Sequence, residues 1–297
     1  MQPARLGIGT ASFIPAYGLP VSAGTELLTA DLIAEAVARG IDYIDTAAAY
    51  GEAEHALGRL SALLRDRRVR ICTKVAYAPG PDAAARLAAD VDQSRRRLAV
   101  DCIDTVLLHS VGAGVLRDPD VARALDRVKS AGHCRQAGAS TYGADDAAAA
   151  LASEWCNALQ IEYSVLNQSV MTAAAGARRA GQEIVARSVL CKGLLTSRNR
   201  VLAGDLPPAV ASAIAALHEL AGQWGYTLPE LAIRFALDTP GIQIVLVGVV
   251  DAGELDTACR AAARPPLAKE QWRRLAEFDR SAFDAVHPQR WSAPRVH

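Results

Sequence analysis

One pattern recurs along the chain and constrains everything else. A short apolar run rich in β-branched residues is followed by an Ala-rich amphipathic stretch, eight times over. The apolar runs are residues 5–9, 42–46, 69–75, 103–109, 134–140, 158–163, 183–190 and 242–249. Each is bounded by polar residues or Gly, as a strand buried on both faces is. Helical candidates fill the intervals: 29–39, 53–64, 82–98, 119–130, 144–152, 169–180, 208–224, 229–237, 252–263 and 268–279. In the first, Leu32, Ile33, Ala36 and Val37 make one apolar face and Gly40 stops it. Strands alternating with helices predict an α/β protein with a parallel sheet, and the count is that of a closed (β/α)₈ TIM barrel, which needs about 250 residues. No Pro/Gly/Ser-rich linker or break in composition divides the 297 residues, so a single domain over 1–297 is expected. The long connection 192–208, after the seventh run, is a candidate functional loop.

Composition removes several function classes. With 32 Lys+Arg against 32 Asp+Glu the formal net charge is zero, which argues against nucleic-acid or acidic-membrane partners. No stretch reaches the roughly 18 uninterrupted apolar residues of a membrane span. The start, MQPARLGIGTASF, lacks the basic region, apolar core and cleavage site of a signal peptide. The six cysteines (Cys72, Cys102, Cys134, Cys156, Cys191 and Cys259) form no C-x-x-C pair and have no His at zinc-finger spacing. Buried free thiols in a reducing cytoplasm are the expectation, with Cys72, Cys134 and Cys191 inside strand-like runs. The six His are scattered, and no metal site is expected.

Gly7-Ile8-Gly9-Thr10-Ala11-Ser12 looks like part of a G-x-G-x-x-G dinucleotide fingerprint. The third Gly is missing. A helix should begin there to hold a pyrophosphate, yet Phe13–Pro20 carries two prolines and a glycine and reads as a loop. A Rossmann-type domain is therefore rejected.

In a (β/α)₈ barrel the chemistry sits at the C-terminal ends of the strands. The second run ends at Asp45, with Tyr50 in its loop; the third ends near Lys74; the fourth ends at His109. Each has an ordinary structural explanation: a cap or ion pair for Asp45, a barrel lysine, a core histidine, a packing tyrosine. Together, on three adjacent strands, they form a complementary set. An ammonium beside a phenol should lower its pKa from about 10 toward a useful acid, and a carboxylate should anchor that ammonium. A neutral imidazole would position a substrate oxygen. The set suits proton transfer to a carbonyl oxygen while hydride reaches the carbon.

Those residues lie in motifs that resemble the aldo-keto reductase family. Gly40-Ile41-Asp42-Tyr43-Ile44-Asp45-Thr46-Ala47-Ala48-Ala49-Tyr50-Gly51, then Glu54 and Leu57-Gly58, is close to the family's G-x-x-x-I-D-T-A-x-x-Y-G and x-x-E-x-x-L-G signature. Thr73-Lys74 and Leu107-Leu108-His109 match its next two strand ends. The resemblance spans nearly the whole chain. It implies an NAD(P)H-dependent oxidoreductase acting on a small carbonyl or alcohol, with Asp45, Tyr50, Lys74 and His109 as catalytic tetrad and Tyr50 as general acid/base. The chain looks most like a divergent bacterial group associated with spore-coat and surface-polysaccharide biosynthesis, through Gly9-Thr10-Ala11, Tyr17-Gly18, Ala186–Leu190, Lys192–Leu195 and Val247–Val249. That points weakly to a saccharide.

On the same resemblance the cofactor contacts would be Ser140, Thr141, Gln160, Arg187, Ser188, Leu190, Gly193, Leu195, Arg198, Gly248 and Val250. The family's Ser-Asn pair reads Ser140-Thr141, and its Gln is kept as Gln160. The Tyr that family members stack on the nicotinamide reads Arg187. A guanidinium also stacks on flat rings, but its charge should disfavour the oxidised, cationic cofactor. Farther along, Gly248-Val249-Val250-Asp251 and Thr257-Ala258 replace the usual partners of the adenosine and its 2′-phosphate. Val249 and Val250 offer no side-chain donor and Asp251 repels a phosphate, with Arg260 a nearby compensation and Arg198 and Arg200 candidates for the pyrophosphate. NADP(H) is the family expectation, with reduced selectivity and NAD(H) use as the departure.

Two other classes stay open at this point. One is a barrel with a degenerate cofactor site that binds or regulates. The other is a cofactor-free lyase, isomerase or epimerase using Lys74 as a Schiff base. Specificity loops are expected at 12–20, 76–81, 110–116 and 192–206, with 283–291 and Trp291 closing one side. Oligomeric state is not written in the sequence.

Overall fold

The computed structural model describes residues 5–11, 30–174, 179–198 and 206–287. Eight parallel strands close into a barrel in chain order. They are β1 (Arg5–Gly9), β2 (Tyr43–Asp45), β3 (Arg70–Val75), β4 (Ile103–Leu108), β5 (Cys134–Ser140), β6 (Ala158–Glu162), β7 (Glu183–Arg187) and β8 (Ile244–Gly248). Closure is made by β1 against β8, from Arg5 opposite Ile244 to Gly9 opposite Gly248. The helices are α1 (Ala30–Ala38), α2 (Ala53–Arg59), α3 (Ser61–Asp66), α4 (Ala83–Leu98), α5 (Ala113–Leu116), α6 (Pro119–Ser130), α7 (Ala144–Ala152), α8 (Ser169–Ala174), α9 (Pro208–Gln223), α10 (Leu228–Leu237), α11 (Ala252–Ala263) and α12 (Lys269–Ala276).

All eight expected strands are present, and the differences have local causes. The seventh was expected to run to residue 190 but stops at Arg187, because Ser188 takes a left-handed conformation at φ 61°. Cys191 consequently lies in a tight 3₁₀ turn, Cys191–Gly193, and not in a strand. The helix expected over 53–64 breaks at Leu60 into α2 and α3. Gly58, just before the break, is required for packing: a Cβ there would sit 2.1 Å from the Arg97 carbonyl oxygen at the end of α4. The short helix α5 was not anticipated. All six cysteines are unpaired; Cys102 and Cys259 are partly exposed, whereas the other four are buried.

The period of two in each strand sorts side chains into two cores. Tyr43, Cys72, Leu107, Ala158, Val185, Ile244 and Leu246 form a small cluster that plugs the barrel interior. The alternate residues, such as Ile44, Val106, Leu108, Leu159, Ile161, Ile184 and Val245, belong to the large core shared with the surrounding helices. Gly7 belongs to the crowded interior, where a Cβ would meet Leu246 Cδ2 at 2.9 Å. This parity places the functional residues. Two positions beyond the plug residues, toward the C-terminal mouth, stand Asp45, Lys74, His109, Gln160, Arg187 and Gly248. Among the described residues no helix is long and apolar enough to cross a membrane.

Candidate active site

The strand ends that carry these residues are fixed by a continuing backbone ladder. Thr46 N–H donates to Cys72 O at 2.8 Å, Ala48 N–H to Lys74 O at 3.0 Å and His109 N–H to Val75 O at 2.8 Å. Helix α2 then pins the Tyr50 loop. Buried Glu54 accepts from Thr73 Oγ1 at 2.6 Å through one oxygen and from Arg97 Nε at 2.6 Å through the other.

Asp45 is the hub. Its Oδ2 accepts from Lys74 Nζ at 2.6 Å and its Oδ1 from Gln160 Nε2 at 2.6 Å. Lys74 also donates to the Thr46 carbonyl at 2.9 Å and stands over the Tyr50 ring, 5.0 Å from its centroid. Tyr50 meets His109 edge-on, with centroids 5.8 Å apart. The four residues expected to form a tetrad therefore do converge, and Gln160 joins them.

Burial governs the electrostatics. For Lys74, desolvation works against the charge, but Asp45 first, then Tyr50 and Cys72, outweigh it and hold the ammonium well above its usual range. A Schiff-base lysine must lose that proton, which argues against lyase chemistry at Lys74. For His109, burial, with Lys74 and Arg187 adding to it, lowers the imidazole to about 4, so it is neutral at pH 7. The Tyr50 phenol departs from the sequence expectation. It is pushed upward, not downward, because desolvation dominates the lowering by Lys74 and Arg187. Paired to Asp45, Lys74 presents a dipole more than a bare cation. Tyr50 is accordingly a firmly protonated donor.

A cavity of about 110 Å³ opens over this cluster. Asp45 and Tyr50 line its inner end, and Arg187, Ser188, Leu190, Gly193, Arg198, Gly248 and Val250 line the rest. Ser140, Thr141 and Gln160 are buried at the adjoining ends of β5 and β6. The Leu195 side chain is fully buried in the outer core and does not line the cavity. Lys192, at the start of the wall expected over 192–206, lines the cavity. A residue that sequence reasoning missed is Tyr142, whose ring lies 4.2 Å under the Arg187 guanidinium; its only signal was adjacency to Thr141. Arg200, Tyr17, Gly18, Trp291 and the expected walls at 12–20 and 199–205 lie outside the described residues.

At the far end of the cavity and on the surface beyond it the cations are already engaged. Arg198 is paired with Glu254. Arg260 is held by Glu230 at 2.8 Å, so it does not stand ready as the compensating cation. Asp251 caps α11 by accepting from Glu254 N–H at 2.8 Å.

Comparison with known proteins gives one consistent answer. The model of the Aldo/keto reductase family matches residues 5–280. The chain is 24% identical to the aldo-keto reductase YhdN of Bacillus subtilis, covering 99% of this chain and 96% of that protein. It is 27% identical to an Escherichia coli L-glyceraldehyde 3-phosphate reductase, covering 82% and 81% of the two chains. The crystal structure of an aldo/keto reductase from Klebsiella pneumoniae in complex with NADP and acetate superimposes with a TM-score of 0.69 at 21% identity, covering 93% of this chain and 91% of that one.

Proposed function

The chain belongs to the aldo/keto reductase family and is an NAD(P)H-dependent oxidoreductase, and from that premise we propose that it reduces the carbonyl of a small sugar or sugar-derived aldehyde or ketone, with Tyr50 as proton donor. The observation that carries this reading is the buried Lys74–Asp45 pair beneath the Tyr50 ring, with neutral His109 edge-on beside it. The sugar rests on the name of the glyceraldehyde-phosphate reductase relative and on the saccharide-type motifs in the sequence.

The residues fit a nicotinamide. Gln160 must turn its amide nitrogen to the Asp45 carboxylate, which fixes the flip of the side chain. Its Oε1 is then buried without a partner, as is Thr141 Oγ1 on the neighbouring strand end. Buried polar atoms left unpaired are costly, and a carboxamide would satisfy both. Ser140, Thr141 and Gln160 would hold that end; Ser188, Leu190, Gly193, Arg198, Gly248 and Val250 would hold the remainder along the cavity. Reduced nicotinamide bound there supplies the hydride. Tyr50 donates its proton to the carbonyl oxygen, and His109, neutral at pH 7, hydrogen-bonds that oxygen and orients it. Lys74 and Asp45 fix the phenol and stabilise the charge left on it after transfer.

We take NADP(H) as the cofactor, with NADH also accepted, because Val249 and Val250 bring no donors and Arg260 is engaged by Glu230. Titration of the protein with NADPH and NADH, followed by tryptophan fluorescence or calorimetry, tests this first. Binding of either, followed by reduction of a panel of aldehydes and ketones, is the expected result. Absence of binding at millimolar concentration would overturn the reading in favour of a barrel that binds or regulates without turnover.

A further inference from the structure

Arg187 ends β7 and lines the cavity together with Asp45 and Tyr50. Its Nη2 donates to the Thr141 carbonyl at 3.0 Å and its Nη1 to Ser188 Oγ at 3.4 Å. Its guanidinium carbon stands 4.2 Å from the centroid of the Tyr142 ring. A carbonyl, a hydroxyl and an aromatic ring fix the group in place, and none of them carries a charge to cancel its own.

The residue that Arg187 grips is also one that the nicotinamide needs. Thr141 gives its carbonyl to Arg187 while its hydroxyl is buried without a partner, as is Gln160 Oε1 on the adjoining strand end. A carboxamide satisfying those two atoms carries its ring into the neighbourhood of the guanidinium. The charge of Arg187 is felt at the reacting groups as well. Behind burial, Lys74 and Asp45, it lowers the proton affinity of both Tyr50 and His109. Lys74 is itself paired to Asp45 at 2.6 Å, so much of its charge is offset where it stands.

A reduced nicotinamide ring is neutral; once it has given up a hydride it carries one positive charge. The two forms of the cofactor are otherwise alike. A fixed cation beside the ring therefore acts on one form and hardly on the other. We propose that Arg187 makes the site selective for the redox state of its cofactor, holding the reduced form and loosening the oxidised one. The oxidised form is then released once its hydride has passed to the carbonyl carbon and the Tyr50 proton to the carbonyl oxygen. The inference rests on the reductase reading above. By linkage, the bound couple shifts toward its reduced form by the same factor that separates the two affinities. The overall equilibrium is untouched; what changes is occupancy. In a mixture of both forms the site fills with the reduced one, so it starts carbonyl reduction more often than alcohol oxidation.

The test is titration of the intact protein with NADPH and with NADP⁺, followed by tryptophan fluorescence or calorimetry, with no turnover involved. Everything but the ring is common to the two ligands, so the ratio of their dissociation constants reads the ring alone. The intact protein is expected to bind NADPH about 10-fold more tightly than NADP⁺, the scale of one charge–charge contact in a partly solvated cleft. Arg187→Gln keeps a donor for the Thr141 carbonyl and removes the charge. NADP⁺ should then gain affinity by about that factor while NADPH stays nearly unchanged, and the ratio should fall to near one. Arg187→Lys keeps the charge and should keep most of the ratio. Equal affinity for the two forms in the intact protein overturns the proposal without any variant. So does a loss shared by both forms in Arg187→Gln with the ratio unchanged, which would assign Arg187 to the cofactor's phosphates. NADH and NAD⁺ should show the same ratio; a preference confined to the phosphorylated pair would place the effect at the 2′-phosphate and overturn it too. If both forms bind equally and carbonyls are reduced, the reductase reading stands and this inference alone fails. If neither form binds at millimolar concentration, both fail.

Discussion

The two ends of the cavity are built on different principles. At the inner end, Asp45, Lys74 and Gln160 are essentially inaccessible and bonded to one another, each on a different strand. At the outer end, Gly248 and Asp251 are exposed, Val250 offers only a methyl surface, and the cations Arg198 and Arg260 are each committed to a glutamate. In low dielectric every charge is expensive unless its partner is fixed, so the inner end tolerates one arrangement. The outer end sits in a screened environment where single charges are worth little and can drift. The catalytic cluster is thus held by burial, and the outer end by surface pairs.

The sharpest test of that contrast is Tyr50→Phe. Removal of the proton donor should lower carbonyl-reducing kcat by about 10²- to 10⁴-fold while NADPH affinity stays nearly unchanged. Equal loss of affinity, measured by fluorescence titration, would mean that the inner end also binds the cofactor's outer parts and that the two ends are not separate.

Next comes Lys74→Met. It leaves the Asp45 carboxylate buried with Gln160 as its remaining partner, and stability should drop by about 3–5 kcal/mol in urea denaturation. Adding Asp45→Asn should recover part of the loss, as expected for a coupled pair. Additive losses would show that the pair is not the unit described here.

A smaller effect concerns acid stability. The His109 imidazole titrates near 4 when folded, against an ordinary 6.5. Between those values the unfolded chain takes up a proton that the folded one refuses, so stability falls as pH drops from about 6.5 to about 4. A plot of Tm against pH should be flatter over this window in His109→Gln. An unchanged slope would locate the acid sensitivity elsewhere.

The smallest change belongs to the outer end. Asp251→Ser keeps an N-cap for α11 and removes one exposed negative charge. NADPH should bind up to about fivefold tighter with NADH unaffected, since surface charges contribute at most about 1 kcal/mol. A shift shared by both cofactors would point to pyrophosphate and not to the 2′-phosphate.

The same division decided what the sequence disclosed. The barrel was legible because short apolar runs alternate eight times with Ala-rich amphipathic stretches; β1, β5, α6, α7 and α11 fall where patterning alone puts them. The four inner-end residues were legible because their spacing from the strands is fixed. What escaped depends on contacts across the fold. The upward shift of Tyr50 needs Lys74 to be neutralised by Asp45 and the phenol to be enclosed. The bond from Gln160 to Asp45 spans residues far apart in sequence. The seat of Arg187 on the Thr141 carbonyl and the Tyr142 ring is visible only in the fold. The burial of Leu195 escaped because a motif position says nothing about which way a side chain turns after the kink at Ser188 and Lys192.

The alternation that sorts each strand into plug and helix-facing residues has a consequence for how this chain can change over time. Lys74 faces the interior because it is two places past Cys72; its neighbour Thr73 faces Glu54 on α2. Insertion of one residue into β3 below Lys74 would exchange the two, sending an ammonium among the helices and a hydroxyl to Asp45. Insertion of two would lift Lys74 past Asp45 without turning it outward. Strand length in such a barrel is therefore counted in pairs, and single-residue insertions and deletions should be confined to the connecting loops, where parity has no meaning.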